Sequence, residues 1–242
     1  NILTFWDQEI ERVNNTSLNI KLGENSSLKY INPNTKEEYD FNAQEIHFDS
    51  PNWVDATPII IKLHGYLLYP EELKNINPGC LCMHGLGGNA NKSFEFAAPY
   101  LEKGFIVLCH SHPGHGKSDG ANPTPNNFYY EGEYNKSSHN YLTLCGAIQG
   151  LRVLESLDLV NNSEIMVTGS SYGGLNTMWL SGICGERIAG AIPYIAVGDY
   201  EKNNEDPTKL LFWVWNKNID EIPDSYWNEQ SLLKLVYIRV LQ

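Results

Sequence analysis

The sequence predicts an α/β fold, in which a mostly parallel sheet carries helices on both faces. Four short apolar runs are typical of strands that are buried on both sides: 80–83, 105–109, 164–168 and 188–197. Each interval between these runs contains a helix-compatible segment: 91–103, 139–157 and 175–183. Strands that alternate with helices at this spacing are typical of βαβ crossovers, which make neighbouring strands parallel.

The N-terminal part has a different pattern, which predicts antiparallel strands. At 43–49, apolar Ile46 and Phe48 alternate with polar neighbours, and 59–69 is a second such run that ends before Pro70. Together they predict a short hairpin or meander. The segment upstream is polar and rich in Asn, except for an apolar stripe that predicts a short helix: Phe5, Trp6, Ile10 and Val13.

Length and charge limit the classes of function. At 242 residues the chain can enclose one sizeable core, so we expect a single domain over 1–242. The formal charge of −12, without any basic run, argues against nucleic acid or an anionic membrane surface as a partner. No apolar run approaches the roughly 20 residues that a membrane-spanning helix requires.

The cysteines and the N-terminus bear on the compartment. The five cysteines have no disulfide-framework spacing, and free buried thiols are typical of a reducing compartment. The first ten residues lack the basic start and apolar core of a signal peptide. We therefore expect a cytoplasmic protein, although the chain lacks an initiator Met and a leader could already have been removed.

One motif bears directly on chemistry, because residues 169–173 fit the pattern G-x-S-x-G between an apolar run and a helix-compatible segment. A serine on such a sharp turn has strained backbone angles, and Gly169 and Gly173 remove the Cβ atoms that would clash there. The turn would expose the Ser171 hydroxyl near a helix N-terminus, where backbone N–H groups can stabilise an oxyanion. The alternative is a glycine-rich loop that happens to contain serines.

Two further motifs follow strands and complete a resemblance. Residues 84–88 read HGLGG after one strand, and residues 112–118 read HPGHGKS after the next. In this order, the three motifs resemble the α/β-hydrolase superfamily over about residues 45–197. The nearest relatives would be serine esterases, lipases and peptidases similar to prolyl oligopeptidase.

The resemblance implies a catalytic mechanism and the residues that carry it. Ser171 would be the nucleophile, and the backbone N–H groups of Tyr172 and Leu86 would form the oxyanion hole. His84 would brace its loop rather than transfer protons. The reaction would be hydrolysis of an ester, thioester or peptide bond through an acyl-serine. The substrate would be a small-molecule acyl ester or a peptide, and we expect no cofactor and no metal.

The sequence departs from the family after the serine. The superfamily has its acid and histidine after the nucleophile, whereas all seven histidines here precede Ser171: His47, His64, His84, His110, His112, His115 and His139. Asp199, just beyond the run 188–197, is a candidate acid in a less common placement. The favoured interpretation is that the chain is C-terminally incomplete and lacks the last strands. The alternatives are that another chain supplies the base, or that the protein is a non-catalytic binding protein.

Two segments and the sheet edge carry further expectations. The loop 121–138 and the aromatic-rich segment 201–230 are candidate lid or cap segments over the site. A sheet without its last strands would expose unpaired backbone groups and apolar surface, which predicts self-association.

Two rival chemistries have weaker support. Residues 85–90 fit the dinucleotide fingerprint G-x-G-x-x-[GA], but the carboxylate expected at the end of the following strand is absent. His110, His112 and His115 have the histidine spacing of a zinc motif, but Gly114 stands where that motif has an Asp.

Overall fold

The computed structural model describes residues 2–32, 35–54, 57–124, 136 and 138–194. Asp199 and the candidate lid segment 201–230 lie outside these residues, as does most of the loop 121–138. So does any strand after residue 194.

Seven strands form one mixed sheet in the order β1-β2-β3-β5-β4-β6-β7. The strands are β1 (Lys21–Ile31), β2 (Glu38–Val54), β3 (Thr57–Tyr69), β4 (Asn77–Met83), β5 (Ile106–His110), β6 (Val160–Ser170) and β7 (Gly190–Tyr194). The helices are α1 (Ile2–Asn14), α2 (Phe94–Leu101), α3 (His139–Glu155) and α4 (Tyr172–Ile183). Strands β1, β2, β3 and β5 pair antiparallel, and β5, β4, β6 and β7 pair parallel.

The parallel half positions the three sequence motifs. β4 lies between β5 and β6, with Cys82 in register with Cys109 on one side and Thr168 on the other. Since parallel strands end at the same edge of a sheet, the segments that follow β4, β5 and β6 come together there. These are the segments that contain residues 84–88, 111–118 and Ser171.

Helices cover both faces of the sheet, as the sequence predicts. α1, α3 and α4 pack on one face around Ile148, Leu151 and Leu180, all fully buried. α2 packs on the other face, where Phe94 and Ala97 contact a smaller apolar cluster. Full burial of a large aliphatic side chain contributes about 1.5–3 kcal/mol, so both layers contribute substantially to stability.

The antiparallel part is larger than the short hairpin that the sequence predicts. β2 has 17 residues and β3 has 13, and β1 pairs with β2 although its own sequence has no strand pattern. Most side chains of β1 are exposed, so this strand forms through backbone pairing rather than burial. The helix predicted at 91–103 is also shorter, because a 3-10 turn at Ala90–Ser93 precedes α2.

All five cysteines are buried, and none of them forms a disulfide within the described residues. No helix in the ranges that the structure describes is both long and apolar enough to span a membrane.

Candidate active site

Ser171 lies at the junction of β6 and α4, as the G-x-S-x-G pattern predicts. Its φ of 60° and ψ of −116° are outside the regions that non-glycine residues usually adopt, which costs about 1–3 kcal/mol. Two backbone hydrogen bonds hold this conformation. The Ser171 N–H donates to the Tyr194 carbonyl at 2.8 Å, and the Ser171 carbonyl accepts from the Leu175 N–H at 3.0 Å.

The two glycines of the motif permit a close approach of α4 to β4. A Cβ atom on Gly169 would lie 2.6 Å from the Met83 carbonyl oxygen, and one on Gly173 would lie 2.1 Å from the same oxygen. Real Cβ contacts are essentially never shorter than 3.0 Å. A side chain at either position would therefore push the serine turn off the sheet.

The loop after β4 lies against the serine. A Cβ atom on Gly85 would be 3.4 Å from Ser171 Cβ and 3.6 Å from Ser171 Oγ. The loop turns back immediately, since the Gly88 N–H donates to the Gly85 carbonyl at 3.0 Å and Gly87 has a φ of 73°. Leu86 is half-buried in this turn and packs against the main apolar core.

Hydrogen bonds of two histidines join this loop to the loop after β5. The His112 N–H donates to His84 Nε2 at 3.0 Å, and His84 Nδ1 lies 2.7 Å from the Gly85 carbonyl. Because a backbone N–H can only donate, His84 Nε2 is the acceptor and its Nδ1–H donates to Gly85. In return, His112 Nε2–H donates to the His84 carbonyl at 2.9 Å. The two rings are 4.0 Å apart. This agrees with the expectation that His84 braces its loop.

His115 joins the same two loops through a second set of hydrogen bonds. Its Nε2 accepts from the Gly87 N–H at 3.3 Å, and its Nδ1–H donates to the Pro113 carbonyl at 3.0 Å. The ring lies 5.2 Å from that of His84 and 5.3 Å from that of His139. Backbone groups of the two loops are thus joined through the imidazoles of His84, His112 and His115.

Burial keeps these imidazoles neutral. Burial, with a smaller contribution from neighbouring imidazoles, lowers the pKa of His84 and of His139 to about 3. Burial also lowers the pKa of His110 to about 4 and that of His112 well below the usual range. Near neutral pH the cluster adds no charge beside Ser171, and its contribution is positional.

The side chain of Tyr172, the first residue of α4, is anchored on α3. Its hydroxyl donates to Asn140 Oδ1 at 2.8 Å and lies 3.3 Å from Thr143 Oγ1. Its ring stacks on that of His139 at 5.9 Å. Sequence reasoning did not identify Asn140, Thr143 or His139 as part of this region, because no local motif marks them on α3.

The sequence and fold comparisons agree on the family. A model of the alpha/beta hydrolase fold matches residues 81–219, which is more than half of the chain. The chain belongs to the alpha/beta hydrolase fold family. No curated protein sequence matches it significantly.

Solved structures show the same alpha/beta hydrolase architecture at low sequence identity. Acetyl xylan esterase from Paenibacillus sp. R4 has a TM-score of 0.64 at 19% identity, covering 98% of this chain and 72% of that one. Acetyl xylan esterase 1 from Thermoanaerobacterium sp. JW/SL YS485 has the same TM-score and coverage at 15% identity. Est1E from Butyrivibrio proteoclasticus, with ferulic acid bound, has a TM-score of 0.50 at 23% identity, covering 74% and 69%.

An open cleft of about 520 Å³ adjoins the two loops of this alpha/beta hydrolase domain. Leu86, Asn89, His115 and Pro123 are among the residues that line it. Ser171 is not part of its lining, so the cleft adjoins the loop rather than the serine itself.

The remaining candidate residues are Asp199 and those of the two rival motifs. Asp199 lies outside the described residues. His110, His112 and His115 each use one ring nitrogen on a backbone carbonyl, and among the described residues they do not form a group of closely spaced metal-ligand atoms. The dinucleotide fingerprint at 85–90 leads into a four-residue 3-10 turn instead of a regular helix N-terminus.

Proposed function

We propose that this chain is a serine hydrolase in which Ser171 attacks the carbonyl carbon of an acyl ester. The Oγ–C bond forms, the alcohol leaves with a proton, and water then hydrolyses the acyl-serine to release the acid and restore the hydroxyl. The observation that carries the proposal is the positive φ of Ser171 between β6 and α4. A strained serine held at a helix N-terminus is costly to fold, and such strain persists where a function requires it.

The oxyanion hole in this proposal consists of the backbone N–H groups of Leu86 and Tyr172. Tyr172 starts α4, where N–H groups and the helix dipole favour negative charge. The loop that contains Leu86 is supported by the contact of Gly85 with Ser171 and by the bonds of His84 and His115. Fixed donors stabilise a developing charge better than mobile ones, because they need no reorganisation during the reaction.

Esters are the first substrate class to assay, ahead of thioesters and peptides. Two solved structures of the same fold bear the name acetyl xylan esterase, and a third contains ferulic acid. These names describe those proteins, and at under 25% identity they support a choice of assay rather than a substrate. Short acyl esters such as an aryl acetate suit that first assay.

The mechanism also needs a general base, and the sequence does not place a histidine for this role after Ser171. His84 has both ring nitrogens engaged and a pKa lowered to about 3, so it is a poor proton acceptor. The base is therefore either another imidazole that precedes Ser171 or a group from outside these 242 residues. Asp199 remains the candidate acid.

A non-catalytic binding protein is the second candidate function, and the missing base is the observation that favours it. A serine-directed fluorophosphonate probe separates the two functions. We expect a covalent adduct at Ser171, none in Ser171→Ala, and an unchanged adduct in the matched neighbour Ser170→Ala. The absence of an adduct on the folded wild-type chain would favour the binding protein, and an adduct that survives Ser171→Ala would refute the assignment.

A further inference from the structure

Two imidazoles and one carboxylate converge on the antiparallel half of the sheet. His47 of β2 is directly opposite His64 of β3, and Glu45 lies two residues before His47 on the same face. Each of the three side chains offers a ligand atom, and these atoms all lie within 4.8 Å of one another. The two imidazole rings are 5.1 Å apart.

The buried member of this cluster is suited to bind a cation. The side chain of His64 is only 4% exposed. Its Nε2 lies 2.7 Å from Glu45 Oε1. Its Nδ1 is buried without a hydrogen-bond partner among the described residues, so the contacts of those residues leave the ring incompletely satisfied.

We propose that Glu45, His47 and His64 bind one divalent transition-metal ion, for which Zn²⁺ is the best match. Zn²⁺ binds imidazole nitrogen and carboxylate oxygen at about 2.0–2.2 Å in tetrahedral geometry, which separates ligand atoms by about 3.3 Å. Small rotations of the side chains bring the three atoms to that spacing, and a water molecule completes the shell. Ca²⁺ and Mg²⁺ prefer shells of oxygen, so two imidazoles disfavour them.

Lys117 lies beside the proposed site and pairs with its carboxylate. Its Nζ lies 2.7 Å from Glu45 Oε1, and its side chain is 65% exposed. An exposed lysine can turn into solvent at little cost, so it competes with a metal ion without blocking it. Since Lys117 belongs to the loop 112–118, metal binding at Glu45 also removes one tether of that loop.

This site differs from both metal expectations of the sequence. The sequence predicts no metal, and its rival zinc motif consists of His110, His112 and His115. None of those three residues belongs to the new cluster, which depends on the pairing register of β2 with β3. Such a register is not visible in a local motif.

The test is a zinc titration of the full chain, purified without a histidine tag, against a chromophoric chelator that competes for Zn²⁺. We expect one equivalent of Zn²⁺ per chain and a rise in melting temperature on binding. His47→Gln and Glu45→Gln should each weaken binding at least about tenfold. Lys117→Met should tighten it, because the competing ammonium is gone. Glu38→Gln, which changes an exposed carboxylate on the same strand, is the matched control and should bind like wild type.

Three results would overturn the proposal. The first is no stoichiometric binding by the folded wild-type chain. The second is tight binding that survives both His47→Gln and Glu45→Gln. The third is binding that His115→Gln abolishes and His47→Gln leaves intact, which would place the ion on the 112–118 loop. His47 is only partly buried, so His47→Gln should fold, and circular dichroism checks this independently.

Discussion

The parallel half and the antiparallel half of the sheet are stabilised in different ways. In the parallel half, β4 and β5 are almost wholly buried, and the loops that follow them are joined by buried imidazoles. In the antiparallel half, β1 is mostly exposed and depends on backbone pairing with β2. The residues around Ser171 are thus more tightly packed than those of β1, and substitutions should be far more costly there than on β1.

The largest expected effect comes from a glycine substitution made in each half. Gly173→Ala puts a Cβ atom 2.1 Å from the Met83 carbonyl oxygen, so backbone must shift, and we expect a loss of at least about 3 kcal/mol in the free energy of unfolding. On β1, in the antiparallel half, the new Cβ atom of Gly23→Ala meets Glu45 Cβ at 3.3 Å. This substitution should change the free energy of unfolding by less than about 1 kcal/mol. Urea unfolding measures both, and equal losses would contradict the comparison.

The second effect is a dependence of stability on pH that comes from the parallel half. His84 is neutral when folded with a pKa of about 3, whereas the unfolded chain has the usual pKa near 6.5. Below pH 6.5 the unfolded state therefore binds one more proton, and folding loses about 1.4 kcal/mol per pH unit down to about pH 3. The stabilising contribution is fully present above pH 6.5.

Removing this imidazole isolates its contribution from that of other titrating groups. His84→Asn should lower the free energy of unfolding at pH 7, because it removes buried hydrogen bonds. Between pH 6.5 and 4, the free energy of unfolding of this variant should fall less steeply with decreasing pH than that of wild type. The difference in slope should be about 1.4 kcal/mol per pH unit, which corresponds to one proton. Equal slopes for the two proteins, from urea titrations at several pH values, would show that His84 is not buried as described.

A third effect compares the same tyrosine substitution in both halves. Tyr172→Phe removes a buried hydrogen bond to Asn140 and should cost about 1 kcal/mol. Tyr69→Phe removes a bond to the half-buried Gln44 side chain, which water can partly replace, and should cost less than half as much. Only Tyr172→Phe should also slow fluorophosphonate labelling of Ser171. Slower labelling in Tyr69→Phe would mean that the two halves are coupled.

The smallest effect concerns a surface ion pair. Lys117→Met removes the contact of an exposed ammonium with Glu45 and should change the free energy of unfolding by less than about 1 kcal/mol without added metal. Thermal unfolding at low and high salt measures it. A larger loss would mean that this tether holds the loop more firmly than an exposed pair can.

The sequence predicted features that depend on local spacing and missed those that depend on pairing. The turn at Ser171 follows from glycines two residues away on either side, and β4 and β5 follow from continuous apolar runs. β1 has no apolar periodicity in its sequence, because it is ordered by backbone pairing with β2 rather than by burial of its side chains. The His84–His112 contact joins residues 28 positions apart, so it becomes visible only when β4 and β5 lie side by side.

The most direct test of the central claim is to trap the acyl-enzyme. The wild-type chain, Ser171→Ala and Ser170→Ala are each mixed with an activated aryl acetate, quenched in acid and analysed by intact mass and peptide mapping. The proposal predicts one added acetyl group at Ser171 in the wild type and in Ser170→Ala, and none in Ser171→Ala. An unmodified wild-type chain, or an acetyl group that remains in Ser171→Ala, would contradict it.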